Sequence, residues 1–150
     1  MRAPRVNRLE HWTLVSSDVQ RSRRFYVDVL GADEPVRPTG PVSVNFAGTV
    51  IDFMPARAGG EQPNPGGQNH HHGYLIDLEE YDRWIAHLEA KNVEHQRATH
   101  GLGRLSIYVD DPDGYHIELF VLFPDNATGR REIEQRGLME LVDPARRNAL

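Results

Sequence analysis

The sequence predicts an α+β fold made of two successive βαβββ modules. Residues 8–55 and residues 70–123 both run in the order strand, helix, strands, and a segment rich in glycine and proline, residues 56–69, separates them. Each module begins with a histidine in its first strand, His11 and His71 respectively. Internal repetition of this kind is typical of modules related by a pseudo-twofold axis. We therefore expect the 150 residues to form one domain.

The first module is predicted from the alternation and punctuation of its residues. Residues 9–16 predict a strand with His11 and Thr13 on the same face. Asp18 is a typical N-cap for a helix over residues 19–30, because its side chain can accept a hydrogen bond from a free amide of the first turn. Three short runs predict the remaining strands: residues 34–36, 42–46 and 50–53.

The second module ends in a predicted hairpin. Its expected elements are a strand at 71–77, a helix at 79–91 and strands at 93–96, 105–109 and 115–120. Residues 111–114 predict the hairpin turn, because Pro112 presets its backbone angle and Gly114 tolerates positive φ. Strand alternation places Glu118 on the same face as His116. A carboxylate within an apolar strand is costly to bury unless it is paired or bound to a metal.

The C-terminal tail, residues 124–150, lies outside the repeat. Residues 128–142 predict a helix, which Gly137 weakens. The tail is rich in arginine although the protein is acidic: Arg130, Arg131, Arg136, Arg146 and Arg147. One interpretation is a helical clamp packed over the domain, and the other is a lid that brings an arginine to an acidic group of a substrate.

Composition excludes several classes of function. The net charge of −5 argues against a nucleic-acid-binding protein, for which a basic face is expected. The absence of cysteine excludes disulfides, thiolate nucleophiles and zinc–thiolate sites. No apolar run approaches a membrane span, and the N-terminus has no apolar signal-peptide core, so we expect a cytoplasmic protein.

The second hairpin carries a resemblance to a known family. His100, Tyr108, the Asp-Pro-Asp-Gly turn of residues 111–114 and Glu118 resemble the signature of type I extradiol ring-cleavage dioxygenases. Ala98 departs from that signature at its beginning. These enzymes belong to the vicinal-oxygen-chelate superfamily, whose βαβββ module the repeat resembles over residues 8–123. The resemblance implies a cupped mixed sheet lined by the first and last strands of the modules.

A metal site follows from the histidines and the carboxylate. Two histidines and one carboxylate leave three coordination positions open, which suits non-haem Fe(II) that must hold both substrate and dioxygen. The predicted ligands are His11, His71 and Glu118. In the run of three histidines, the superfamily pattern His-x-(Ala/Gly)-aromatic-x-aliphatic fits His71, so His70 and His72 face away from the metal or flank it. A register error of one residue would exchange these roles.

The resemblance implies extradiol cleavage of a catechol. Tyr108 would form a hydrogen bond to a substrate oxygen, and His100 would act from outside the ligand set. The reaction also needs an acid/base, for which histidine is suited because its pKa lies near working pH. In two-domain members of the family, this acid/base residue comes from the strand that ends the preceding module. The corresponding residues here, 48–53, contain no histidine, so His70 or His72 is the predicted substitute.

The short single-domain enzymes of this type include L-DOPA 2,3-dioxygenases of antibiotic biosynthesis, which makes L-DOPA the predicted catechol. Arg104, on the strand of Tyr108, is the predicted partner for the substrate carboxylate, since a guanidinium binds a carboxylate through two parallel hydrogen bonds. Thr13 is the second predicted substrate-binding residue. The expected partners are the catechol and O2, with no nucleic acid or membrane, and a homodimer is one expected assembly.

Two other functions fit parts of the sequence. Fosfomycin-resistance enzymes, which open an epoxide at Mn(II), share His-x-Thr (His11 to Thr13), Ser-x-Tyr (Ser106 to Tyr108) and the Gly-Arg entry to that strand, but Ala98 occupies the place of the potassium-loop lysine of the thiol-transferase type. A bleomycin-type binding protein needs no metal and leaves the two histidines and Glu118 unexplained. Metal content separates the three: iron, manganese or none.

Overall fold

The computed structural model describes residue 5 and residues 7–34, 39–67 and 69–143. The chain packs as two compact units: one is Met1–Pro65 with Asp111–Asp113, and the other is Gly66–Asp110 with Gly114–Leu150. The boundary after Pro65 falls within the predicted linker of residues 56–69. In the described parts of the chain, three α-helices and two mixed sheets confirm the α+β class. Within the described residues, no helix is both long and apolar enough to cross a membrane.

The first unit contains a three-stranded sheet and one helix. Its elements are β1 (His11–Ser16), α1 (Val19–Asp28), β2 (Val42–Phe46) and β3 (Thr49–Pro55). The strand order is β1-β3-β2, with β1 parallel and β2 antiparallel to β3. The strand predicted at residues 34–36 is represented by a single bridge between Asp33 and Asn45, and residues 35 and 36 lie outside the described residues.

Helix α1 begins and packs as its sequence requires. Asp18 accepts hydrogen bonds from the amides of Gln20 and Arg21, which confirms it as the N-cap. Tyr26 is fully buried, and its ring contacts the rings of Phe46 and Phe53 on the sheet. The helix ends at Asp28, two residues before its predicted end.

The hairpin turn of the signature is anchored to the start of α1. The side chain of Asp111 accepts a hydrogen bond from the amide of Asp113, and this closes the turn. Asp113 in turn accepts from the amide and hydroxyl of Ser17, from the hydroxyl of Ser22 and from the guanidinium of Arg21. Its side chain is 4% exposed. The Asp-Pro-Asp-Gly segment therefore supplies a buried, fully partnered carboxylate as well as a turn.

The second unit contains a four-stranded sheet. Its first elements are β4 (His71–Leu75), α2 (Leu78–Ala90), β5 (His95–Thr99), β6 (Arg104–Asp110) and β7 (His116–Leu122). The strand order is β4-β7-β6-β5, with β4 parallel to β7 and the other neighbours antiparallel. One face of the sheet is apolar and buried, with Ile107, Ile117 and Leu119 almost fully covered. The other face carries the polar residues of the signature.

The described part of the tail, residues 124–143, packs within the second unit. The prediction of a single helix over residues 128–142 was wrong. Helix α3 (Asn126–Gln135) ends before Gly137, whose φ of 67° breaks the helix. A 3-10 turn follows at Met139–Leu141. Ile133, Leu138 and Val142 are buried.

Helix α3 lies directly on the loop before β6. A Cβ atom at Gly129 would lie 1.8 Å from the carbonyl oxygen of Leu102, so only glycine permits this approach. The described tail arginines pair with nearby acids: Arg130 with Glu134, Arg131 with Glu132, and Arg136 with Glu132 and Asp82. Arg146 and Arg147 lie outside the described residues. These pairings favour the clamp over the lid.

We predict that Asp113→Asn destabilises the protein at neutral pH by about 1–3 kcal/mol, the usual cost of disrupting a buried, charge-assisted hydrogen-bond network. Burial alone would raise the pKa of Asp113, but hydrogen bonds from Ser17, Ser16 and Ser22 outweigh it and leave the pKa below its ordinary value. The carboxylate therefore stabilises the fold above its unfolded pKa of 3.8, and this contribution is lost as pH falls through the folded pKa.

Urea denaturation at pH 7 and at pH 3 measures the effect. The deficit of the variant should be large at pH 7 and shrink at pH 3. An equal deficit at both pH values would contradict a role for the ionised carboxylate. Asp125→Asn is not a suitable control because Asp125 caps α3; the exposed Glu89 offers one as Glu89→Gln.

Candidate functional site

The site is centred on Glu118, a carboxylate with 1% of its surface exposed in the middle of β7. Its Oε1 accepts hydrogen bonds from Ser106 Oγ at 2.6 Å and Tyr108 Oη at 2.9 Å. Arg104 Nη1 lies 3.3 and 3.4 Å from its two oxygens, and His71 Nε2 lies 3.1 Å from Oε2. Strand pairing places all four partners on the face of Glu118.

The electrostatics of this cluster keep Glu118 ionised and Tyr108 protonated. Burial alone would raise the pKa of Glu118, but hydrogen bonds from Ser106 and Tyr108 and the charge of Arg104 lower it below its ordinary value. Burial, followed by the hydrogen bond to Glu118, raises the pKa of Tyr108 to about 12. At neutral pH, Tyr108 is therefore a hydrogen-bond donor to a carboxylate.

The register of β4 distinguishes the three consecutive histidines. His71 pairs with His116 and shares the face of Glu118, whereas His72 pairs with Ile117 and lies on the opposite face. Burial, and next the neighbouring His71, lower the pKa of His72. His70 precedes the strand, and its ring packs against Gly66. A Cβ atom at position 66 would lie only 2.3 Å from His70 Nδ1.

Glycine at position 73 leaves room beside Glu118. Gly73 pairs with Glu118 across β4 and β7. A Cβ there would lie 3.0 Å from the Phe120 ring and 3.3 Å from Glu118 Oε2. A side chain at this position would press on the carboxylate oxygen that faces His71. The glycine of the His-x-Gly pattern thus keeps that oxygen accessible.

His100 and Tyr108 form a hydrogen-bonded chain that ends on Glu118. His100 Nε2 lies 2.9 Å from Tyr108 Oη and 3.6 Å from Glu118 Oε1. Because the single hydroxyl proton of Tyr108 is donated to Glu118, His100 Nε2–H is the donor in the other bond. The arrangement can pass a proton from His100 through Tyr108 to an acceptor at the position of Glu118 Oε1.

His71 and Glu118 fit two adjacent ligands of a divalent metal. Ligands bound at about 2.1 Å and at right angles lie about 3 Å apart, close to the separation of 3.1 Å between His71 Nε2 and Glu118 Oε2. Hydrogen bonds from Ser106 and Tyr108 hold the other oxygen, Oε1. Within the part of the chain that the structure describes, no three acidic, histidine or cysteine side chains are grouped to hold a metal.

The remaining predicted residues lie in the first unit. His11 and Thr13 occupy the exposed face of β1, which confirms their predicted alternation. The side chain of His11 is 56% exposed, and its Nδ1 lies 2.6 Å from Glu10 Oε2. The structure thus brings together His71, His100, Tyr108 and Glu118 in the second unit. The roles of His11 as third ligand and of Thr13 in substrate binding stay predictions.

Sequence analysis missed a polar cavity of about 550 Å³ in the second unit. Residues that line it include Glu94, His95, Gln96, Tyr108, Asp110 and His116. His116 Nδ1 lies 2.5 Å from Asp110 Oδ1. The signal was present in the sequence, because Asp110 and His116 flank the hairpin turn symmetrically and so face each other across it. We refer to this feature below as the polar cavity.

Comparison with solved structures shows the same fold in several bacterial proteins. The fosfomycin resistance protein FosX from Listeria monocytogenes has a TM-score of 0.64 and 24% identity, over 81% of this chain and 98% of that one. A lactoylglutathione lyase from Agrobacterium tumefaciens has a TM-score of 0.61 and 21% identity, over 77% of this chain and 94% of that one. A virulence protein from Salmonella typhimurium has a TM-score of 0.62 and 21% identity, over 80% of this chain and all (100%) of that one.

A family model covers most of the chain. Residues 8–119 match the model of the Glyoxalase/Bleomycin resistance protein/Dioxygenase superfamily. The match begins before His11 and ends one residue after Glu118, so it includes all three predicted metal ligands, His11, His71 and Glu118. It agrees with the vicinal-oxygen-chelate fold expected from the repeated module and the signature. The chain is therefore a member of the glyoxalase/bleomycin resistance/dioxygenase superfamily.

Proposed function

We propose that the protein is an Fe(II)-dependent extradiol dioxygenase that opens a catechol ring beside its two hydroxyl groups, with L-DOPA as the catechol. Members of the superfamily include enzymes and proteins that bind divalent metals. The observation that carries the proposal is the hydrogen-bonded chain from His100 through Tyr108 to Glu118. It joins the residues of the extradiol signature at one carboxylate, beside the histidine of the repeated module.

His71 and Glu118, through Nε2 and Oε2, would hold the iron, with His11 as the proposed third ligand. Bound iron supplies the positions at which the catechol chelates and dioxygen is activated. Arg104 and Ser106 orient Glu118 by contacts to its oxygens, so the carboxylate keeps one geometry. Orienting a ligand through such contacts commonly changes metal affinity by one to two orders of magnitude, about 10- to 100-fold.

Tyr108 and His100 are the proposed catalytic residues. Tyr108 stays protonated at neutral pH, so a catechol oxygen held beside Glu118 can take over the hydrogen bond that Glu118 Oε1 accepts from it. His100 lies in hydrogen-bond contact with Tyr108 and can replace the proton. Among the candidate acid/base residues, His72 lies on the opposite face of the sheet and His70 packs at Gly66. We therefore propose His100 for the acid/base role.

One observation supports a second candidate, the opening of an epoxide at Mn(II). Ser106 Oγ donates the shortest of the hydrogen bonds that reach Glu118, at 2.6 Å. The Ser-x-Tyr pair of the fosfomycin-resistance enzymes therefore acts here as a unit on the carboxylate. Both candidates need a metal at His71 and Glu118, and they differ in the metal and in the consumption of oxygen.

The reaction is tested by oxygen uptake. The protein is purified anaerobically, its metal content is measured, and it is supplied with Fe(II), ascorbate and a catechol in air. We expect one O2 to be consumed per catechol, with both oxygen atoms entering a yellow ring-opened semialdehyde. No uptake with any catechol under iron-replete conditions, together with Mn(II)-dependent loss of fosfomycin, would replace this proposal by epoxide opening.

We predict that His71→Ala abolishes high-affinity metal binding and that His72→Ala retains it, because only His71 shares the face of Glu118. Metal bound after dialysis, measured by atomic emission, checks the pair. His72 is a matched control because it is adjacent, is also histidine and belongs to the same strand. Retention of metal by His71→Ala with loss in His72→Ala would mean that the register is wrong by one residue.

We predict that Tyr108→Phe binds metal and catechol normally but turns over about 10²- to 10⁴-fold more slowly, the usual loss for an acid/base group. Tyr74→Phe is the control: burial also raises the pKa of Tyr74 to about 12, but Tyr74 follows Gly73 and so lies on the face opposite Glu118. Loss of metal from Tyr108→Phe would assign that residue to the metal site rather than to turnover.

A further inference from the structure

The polar cavity and the Glu118 cluster lie on the same face of the four-stranded sheet. Tyr108 pairs with Glu118, and Asp110 pairs with His116 two positions along, so side-chain alternation puts all four on one face. Tyr108 lines the cavity and also donates to Glu118. Two residues of a strand span about 7 Å, which separates His116 from Glu118 along β7. A molecule held at Glu118 can therefore extend a side chain past Tyr108 into the cavity.

The charges of the cavity favour a cation. Glu94 and Asp110 line it, and among its described lining residues none is lysine or arginine. The lining also holds two histidines, His95 and His116, of which His116 is paired with Asp110. Asp110 uses Oδ1 to hold His116, and a carboxylate offers about four acceptor sites, so Asp110 can accept further hydrogen bonds. Within the described residues Glu94 forms no ion pair, and the amide oxygen of Gln96 adds another acceptor.

We propose that the polar cavity binds the ammonium group of the substrate side chain, so that the protein selects catechols that carry an amine. An ammonium group has three N–H donors and matches Glu94, Asp110 and Gln96 in number and charge. A carboxylate in the same place would face two carboxylates. The inference rests on the proposed function for the identity of the ring, and on the cavity alone for the preference for a cation.

This assignment moves recognition of the side chain away from Arg104. Arg104 and Asp110 are the two ends of β6, roughly 20 Å apart along the strand. The ammonium and carboxylate groups of an amino acid share one carbon atom and cannot reach both ends. Arg104 already contacts Glu118 and lies over the Phe120 ring, 5.2 Å from its centroid. Its place in the site is to hold Glu118.

The test uses ligands with one phenolic hydroxyl, which cannot chelate a metal through a diol. Tyramine, 4-ethylphenol and 3-(4-hydroxyphenyl)propionate are titrated into the full chain while backbone amide signals of Gln96 and His116 are followed by NMR. We expect tyramine to bind about tenfold more tightly than 4-ethylphenol and the propionate to bind most weakly. The double variant Glu94→Gln with Asp110→Asn should remove the advantage of tyramine.

Two single variants serve as controls for the double variant. Glu94→Gln alone changes an exposed residue without an ion pair in the described chain, so it keeps the fold even if loss of the Asp110–His116 pair disturbs the hairpin. Glu89→Gln removes an exposed carboxylate from α2, outside the cavity, and should leave tyramine affinity unchanged. Equal affinity for tyramine and 4-ethylphenol, or tighter binding of the propionate, would overturn the inference.

Catalytic rates separate this inference from the proposed function. With Fe(II) present, dopamine should have a kcat/KM about tenfold above that of 4-ethylcatechol, and Glu94→Gln should reduce the difference. Equal cleavage of the two catechols would overturn the cation site and leave the dioxygenase standing. Selective binding of tyramine without cleavage of any catechol would support the cation site and overturn the dioxygenase.

Discussion

The second unit depends on one electrostatic constraint, the burial of the Glu118 charge within a sheet. A carboxylate withdrawn from water without partners costs several kcal/mol, so each donor around Glu118 is needed. Ser106 and Tyr108 donate hydrogen bonds to Oε1 of Glu118. The guanidinium of Arg104 and the imidazole of His71 lie beside the same carboxylate. This explains why polar residues recur at alternate positions of β6, a strand whose other face is fully apolar.

The hairpin turn determines whether those donors reach Glu118. A shift of one residue between β6 and β7 would turn Ser106 and Tyr108 to the apolar face and leave the carboxylate unpartnered. The register is fixed by the turn of residues 111–114, which Asp111 closes and in which Gly114 adopts a φ of 86°. The conformation of four turn residues is thus a condition for the chemistry of the adjoining strands.

Sequence alone was informative where side-chain period decides the outcome. The alternation of two residues predicted that Glu118 shares a face with His116, as the register of β6 and β7 shows. The prediction of His71 among the three histidines needed the superfamily pattern as well, through Gly73 two positions later. It was uninformative where packing overrides propensity: residues 128–142 contain a helical pattern, yet Gly137 ends α3 and the chain turns so that Leu138 and Val142 are buried separately.

The polar cavity could not be predicted for a different reason. His116 and Asp110 are neighbours by hairpin register, so their pairing was available from the sequence. A concave surface, however, depends on the curvature of the sheet and on the rotamers of residues such as Glu94 and Gln96, which no local pattern encodes. The predicted metal ligands are a third case. The prediction of His11 rests on analogy between the two modules, and the structure adds only that His11 lies on the exposed face of β1 together with Thr13.

The close approach of α3 to the loop before β6 links the tail to the backbone around His100. Gly129 rests on the carbonyl of Leu102, two residues from His100, and Thr99 donates to the carbonyl of Leu141. The tail therefore supports the backbone that positions the imidazole of His100. Shortening the chain would therefore disturb the backbone around His100 as well as any cover over the site, so a truncated protein would report on the alignment of this histidine as well as on access.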